Sequence, residues 1–268
     1  MRPQVVAHRG ASAAIAEHTL GAYVEALNVG AEALECDVRL TADGHLVCVH
    51  DRTLKRVAGK RGVVSTMELA DLAELDVAKW KNPWTDLADE EPDRDERLDR
   101  VLTLRTLLET VRDYTAVHGR RVELAIETKH PTRYGGLVEK RLVELLREFG
   151  WDGPDAPVRV MSFSFTALQR IERLAPGTRL VQLVEHSRNW SLLRSAIGAD
   201  WIVGPGIKEL RQHPRLGESI RRSGHEIHVW TVNKERDLDL CLDLGVSAVI
   251  SDKPAAVFGW LAARGLPL

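Results

Sequence analysis

Short apolar runs rich in β-branched residues alternate with amphipathic segments along most of the chain. QVVAH (4–8), ALECDV (33–38), VELAIE (122–127), VRVMSF (158–163), RLVQLV (179–184), DWIVG (200–204), EIHVWTV (226–232) and SAVIS (247–251) read as eight strand candidates. Helical patterns follow them, among them TLGAYVEALNVG (19–30), LVEKRLVELLREF (137–149), FTALQRIERL (165–174) and RDLDLCLDL (236–244). This alternation predicts an α/β fold with a parallel sheet, and eight units predict a closed TIM-type (β/α)8 barrel. The unit around 185–200 has the least helix, a short pattern near NWSLLRSAIG, and AAVFGWLAAR (255–264) reads as a last packing helix.

Residues 52–102 break the rhythm and read as an insertion after the second strand of a single 1–268 domain. Loops that follow barrel strands line the catalytic face, so the insertion is expected at the mouth of a site. Within it, Ser65 and Glu68 have capping-box spacing ahead of a short helix, TMELADLAEL (66–75). A charged stretch, DLADEEPDRDERLDR (86–100), reads as solvated surface. No internal repeat is apparent.

Composition narrows the functional class. A net charge of −2 argues against a nucleic-acid binder, which usually carries a strongly basic face. Cys36, Cys48 and Cys241 have no metal-ligand spacing and read as free thiols of a reducing compartment. MRPQVVAHRG lacks the apolar core of a signal peptide, and no apolar run reaches the ~18 residues a membrane span requires. The expectation is a cytoplasmic protein with no stable membrane insertion.

Polar residues then fall at the strand ends. Glu35 and Asp37 are two apart on one strand and share a face, with Cys36 on the other. Two acids aimed together form half of a hard-cation site, and the apolar flanks argue against a surface pair. Glu127 and Lys129 repeat the spacing. They read equally as a third metal carboxylate beside an anion contact or as a structural ion pair. Asp43-Gly44 forms a turn that feeds back through HLVCVH to His50 and Asp51. His8 and His50 each end an apolar run, and one such histidine by itself is more often structural. Their convergence with three acids, Arg9 and Lys129 on one barrel rim suits phosphodiester cleavage. A divalent metal on Glu35, Asp37 and Glu127, with Arg9 and Lys129 as anion clamps, neutralises phosphate charge. One histidine takes a proton from the nucleophile and the other protonates the leaving oxygen. Gly10 is expected to let the backbone turn close to the ligand.

HRGASAAIAEHTLGAY, GAEALECDVRLTADGHLVCVHD, AIETK, VWTVN and GVSAVISDKP together resemble the glycerophosphodiester phosphodiesterase family over essentially the whole chain. The resemblance implies a TIM barrel with a small segment inserted after the second strand. It implies a hydrolase of glycerol and lipid metabolism that uses Mg²⁺ or Ca²⁺. Its substrates are glycerophosphodiesters such as glycerophosphocholine and glycerophosphoethanolamine, cleaved to sn-glycerol 3-phosphate and an alcohol. By the same resemblance His8 and His50 are the catalytic pair, and Glu35, Asp37 and Glu127 hold the metal. Arg9 and Lys129 contact phosphate, and Trp230 packs near the glycerol or is simply a core tryptophan. Where the family often has Pro-Glu-Asn-Thr, this chain has Ala16-Glu17-His18-Thr19. Glu17 is expected to orient Arg9 or a metal ligand from behind, and His18 introduces a group that titrates near neutral pH.

Other readings are a lysophospholipase D-like or phosphoinositide phospholipase C-like barrel and a barrel that binds phosphodiesters without turnover. A lipid enzyme needs an apolar lip, for which Trp80 and Trp84 are available, but the acidic stretch beside them repels an anionic bilayer. A binding protein is disfavoured because every catalytic position is filled. A metal-dependent amidohydrolase is disfavoured by the lack of a His-x-His pair at the first strand.

Overall fold

Parallel strands rich in valine, leucine and isoleucine, each covered on both faces, set the architecture. The computed structural model describes residues 2–81 and 95–267. Its strands are β1 (Gln4–His8), β2 (Ala33–Leu40), β3 (Leu46–Cys48), β4 (Glu123–Thr128), β5 (Val158–Ser162), β6 (Arg179–Val184), β7 (Ile202–Pro205), β8 (His228–Val229) and β9 (Ala248–Ser251). They pair in the order β7-β6-β5-β4-β2-β1-β9-β8, with β3 antiparallel on β2. Parallel bridges Val203–Ile227 and Gly206–Trp230 join β7 to β8 and close the ring. The eight strand candidates thus form the barrel. The seventh is much shorter than EIHVWTV suggests, being regular only over His228–Val229.

The period of two along each strand sorts its residues between lumen and helix layer. On β2, Leu34, Cys36, Val38 and Leu40 join the large outer core with the helices. Ala33 joins Val6, Ala125, Met161, Val181, Leu183, Ile202, Ala248 and Ile250 in a separate lumen cluster. Glu35 and Asp37 continue that inward face above Ala33.

The helical layer comprises α1 (Leu20–Asn28), α2 (Lys55–Ala58), α3 (Leu69–Ala73), α4 (Leu104–His118), α5 (Leu137–Glu148), α6 (Phe165–Leu174), α7 (Ser187–Leu193), α8 (Ile207–Gln212), α9 (Pro214–Arg222), α10 (Glu235–Leu244) and α11 (Pro254–Ala263). Helix α4 has no counterpart among the helical stretches read from sequence. It supplies the covering helix of the second barrel unit, displaced by the insertion. Leu104, Leu107, Leu108 and Val111 recur at helical spacing and are buried, Thr103 caps it, and Gly119 ends it in the left-handed region. Each of those fully buried leucines contributes roughly 1.5–3 kcal/mol.

Between β2 and α4 the chain builds its own small core of Val47, Val49, Leu54, Val57, Val64, Leu72, Leu75, Val77 and Val101. The Ser65–Glu68 capping box does not form. Ser65 lies in a 3-10 turn (Val64–Thr66), and the cap residue of α3, Glu68, makes no side-chain cap bond. Both carboxylate oxygens of Asp43 instead accept from Leu69 N at 3.2 Å, so the β2–β3 turn caps α3 from outside. Most of the charged 86–100 stretch, with Trp84, lies outside the described residues.

Candidate active site

Strand register brings the acids together. His8 pairs with Glu35 across β1–β2, and Asp37 pairs with Glu127 across β2–β4, all near the C-terminal rim. Ligand oxygens of Glu35, Asp37 and Glu127 lie within 4.8 Å of one another, and all three residues are buried. Burial and the neighbouring Asp37 charge push the Glu35 carboxyl well above the carboxylate range and Glu127 to about 8. Burial acts the same way on Asp37. There the His18 hydrogen bond and the Lys129 and Arg9 charges outweigh it and hold Asp37 well below its ordinary value.

These residues fit a hard divalent cation. The donors are all oxygen, as Mg²⁺ or Ca²⁺ requires. Asp37 Oδ1 and Glu127 Oε1 are buried side by side in this cluster. The Lys129 ammonium, 3.2 Å and 2.8 Å away, is the positive charge beside them. Burial and mutual repulsion outweigh Lys129 and Arg9 at Glu35 and Glu127, which suits a further cation there.

Arg9 turns toward the same acids. Its Nε lies 3.0 Å from Asp37 Oδ2 and its Nη1 donates to Glu17 at 3.1 Å. Its left-handed backbone (φ 58°) and the adjoining Gly10 (φ 83°) make the turn. Gly10 is crowded by α1: a Cβ there would lie 2.6 Å from the Ala22 carbonyl carbon. His18, also left-handed (φ 61°), touches Asp37 directly, its Nε2 2.9 Å from Oδ2 and its Nδ1 2.8 Å from the Tyr23 hydroxyl. Burial pushes its pKa down against the pull of Asp37.

Each of the two rim histidines has a carboxylate behind it. His8 Nδ1 lies 2.6 Å from Asp252 Oδ1, and His50 Nδ1 lies 2.7 Å from Asp51 Oδ1. In both, the bond at Nδ1 leaves Nε2 to face the cavity. Asp252 also accepts from Ser12 (3.1 Å) and Asn233 (2.5 Å). Burial raises its pKa, but His8, Asn233 and Ser12 outweigh it and hold it at about 2. Asp51 shares its charge with Arg56, whose Nε donates at 2.7 Å. Arg56 also forks onto Glu17 at 2.7 and 2.9 Å and lies over the Trp80 ring. The backbone of His50 is held by Arg39, which donates to its carbonyl at 2.7 and 3.0 Å.

His8, Arg9, Glu35, His50, Glu127, Lys129 and Trp230 line one cavity of about 310 Å³. Trp230 is fixed by its indole N–H on the Gly204 carbonyl (2.8 Å) and by edge contact with Phe163. Asp252, Asn233, Arg56, Arg39 and Tyr23 carry no site assignment from sequence. Asp252 and Asn233 sit inside GVSAVISDKP and VWTVN, at strand ends, and that position was the available signal.

A parallel barrel with clustered acids, cations and carboxylate-held histidines at its rim is an arrangement suited to phosphodiester hydrolysis. A profile of the glycerophosphoryl diester phosphodiesterase family matches residues 8–256, and the chain belongs to that family. It is 44% identical over 264 residues (97% of this chain, 92% of the relative) to probable glycerophosphodiester phosphodiesterase 1 of Mycobacterium tuberculosis. It is 32% identical over 253 residues (93% and 83%) to the glycerophosphodiester phosphodiesterase of Bacillus subtilis. In fold it resembles an Oleispira antarctica phosphodiesterase solved in complex with the product sn-glycerol-3-phosphate (24% identity, TM-score 0.77, 97% of each chain). It also resembles a glycerophosphodiester phosphodiesterase from Agrobacterium tumefaciens (25% identity, TM-score 0.70, 95% of this chain and all of that one). Among the described residues no helix is long and apolar enough to cross a membrane.

Proposed function

We propose that the chain hydrolyses glycerophosphodiesters, such as glycerophosphocholine and glycerophosphoethanolamine, to sn-glycerol 3-phosphate and an alcohol with a divalent cation, Mg²⁺ or Ca²⁺. The observation that carries this reading is one cavity lined by Glu35 and Glu127 of the acid cluster, Arg9, Lys129 and two carboxylate-held histidines, with Asp37 buried beside it. The cation, when bound by the three carboxylates, supplies charge neutralisation to the phosphate oxygens. Arg9 and Lys129 hold the phosphate, and Glu17 and His18 keep Arg9 and Asp37 in position. Trp230 packs against the glycerol.

The two histidines differ in a way that favours one division of labour. Asp252, behind His8, otherwise accepts only from the neutral donors Ser12 and Asn233, so its full negative charge faces the His8 ring. Asp51 is partly neutralised by Arg56, and burial pushes the His50 pKa down. His50 Nε2 therefore takes the proton of the attacking water, or of the substrate's own 2-hydroxyl, as the new P–O bond forms. His8 Nε2–H gives its proton to the leaving alcohol oxygen as the old P–O bond breaks. In the 2-hydroxyl route a cyclic glycerol phosphate forms first, and water then opens it with the roles reversed.

This reading treats the whole chain as one barrel domain whose 52–102 insertion sits at the site mouth. A cytoplasmic setting is supported by three buried free cysteines. In the decisive experiment the protein is stripped with chelator and given glycerophosphocholine while Mg²⁺, Ca²⁺ and Mn²⁺ are restored in turn. Cation-dependent release of glycerol 3-phosphate is expected. No release with any cation at high enzyme concentration sinks the reading, and lysophosphatidylcholine is then the next substrate.

A further inference from the structure

The catalytic cavity has a neighbour. A second, larger space of about 680 Å³ lies beside it, and Glu185 and Trp230 line both. The inner lobe carries the phosphate clamp on the β1, β2 and β4 side. Its opposite wall is apolar, formed by Met161, Phe163, Leu183, Trp230 and Ile250. Glu185 stands at the end of that wall, immediately after β6, as the one charged side chain there.

The Glu185 carboxylate is exposed and, among the described residues, bonds to no side chain or backbone group. Other acids around the outer lobe are engaged. Glu209 accepts from Ser187 N at 2.5 Å, Asp237 faces Arg211 at 3.6 Å, and Asp252 is held by His8. The exposed Lys208 and Lys234 line only the outer lobe, beyond Glu185. Phe163 meets the Trp230 ring edge-on (centroids 5.5 Å apart, 87°), and both rings line the inner lobe together with this free carboxylate.

A diester bound with its phosphate on the clamp and its glycerol in the inner lobe must send the other alcohol out past this point. We propose that the outer lobe receives the leaving alcohol and that Glu185, with the Trp230 and Phe163 rings, selects alcohols bearing an ammonium group, such as ethanolamine or choline. The inference rests on the hydrolase reading above. A carboxylate beside aromatic faces suits a cationic amine doubly, by Coulomb attraction and by the ring quadrupole.

The test compares kcat/KM for glycerophosphoethanolamine and glycerophosphocholine with that for glycerophosphoglycerol, using cation-loaded wild type, Glu185→Gln and Glu185→Lys. The expected result is a fall of about fivefold or more in the cationic-to-neutral ratio for Glu185→Gln. That is the size of an exposed ion pair reinforced by an aromatic wall. A larger fall is expected for Glu185→Lys, and both effects shrink as salt is raised. A ratio within twofold of wild type in both variants overturns the inference and leaves the hydrolase reading intact. Wild type that turns over none of the three diesters removes the hydrolase reading, and this inference with it.

Discussion

At the rim of the barrel, Glu35, Asp37 and Glu127 crowd together, and the Lys129 ammonium is shared between Asp37 and Glu127. At the opposite end Glu123 is also partly buried, yet its oxygens are taken by Arg159 (2.8 Å), Arg179 (2.9 Å) and Gln4 (3.2 Å). These floor partners are early residues of β4, β5, β6 and β1. Burial raises the Glu123 pKa, but the two guanidiniums outweigh it and bring it below the ordinary value, whereas Glu127 stands at about 8. The same barrel thus buries one acid between two guanidiniums at its floor and, at its rim, three acids that share Arg9, His18 and Lys129. At the floor two guanidiniums face one acid, and at the rim the acids crowd closely enough to raise two of the three carboxyls, an arrangement that favours a cationic ligand.

The comparison is tested most severely by substitutions that should act at one end only. His8→Ala and His50→Ala are each expected to lower kcat about 10²–10⁴-fold while cation binding, read by calorimetry, persists. Full activity in His50→Ala would remove it from the acid–base pair. At the floor, Glu123→Ala strands two guanidiniums and should cost about 3–5 kcal/mol in urea unfolding, with turnover per folded molecule unchanged. If activity falls more than stability accounts for, the two ends are coupled. Glu35→Gln should abolish the thermal shift caused by added Mg²⁺ or Ca²⁺ and, in chelator, stabilise the protein by about 1 kcal/mol. The smallest effect is a pH effect. Asp252 is held at about 2 in the fold against an ordinary value of 3.8, so its stabilisation is complete above the ordinary value and fades as pH falls through 2. Wild type and Asp252→Asn should therefore differ by on the order of 1 kcal/mol, after solvent screening, above pH 5, and converge in acid.

Most of the barrel could be read from the chain because period-two strands and their helices are local patterns. The same holds for Glu35 with Asp37 and Glu127 with Lys129, whose i, i+2 spacing fixes a common face. What escaped depends on distant pairing. Helix α4 belongs to β2 in space but is separated from it by the inserted segment. The Ser65–Glu68 box looked sufficient locally, yet Asp43 of a separate turn does the capping. Gly10 is required by the backbone of α1, because Ala22 comes too close for a side chain. Asp252 reaches His8 across 244 residues of sequence, which no local pattern encodes.

Arg56 gives the inserted segment a hold over the chemistry. It ties Asp51, behind His50, to Glu17, behind Arg9. An excursion that melts this segment while the barrel stays folded releases both buttresses in one event. Catalysis then has its own local unfolding equilibrium, separate from that of the scaffold, and is lost at a temperature or denaturant concentration below the global transition. Thermal inactivation should accordingly precede the loss of barrel secondary structure.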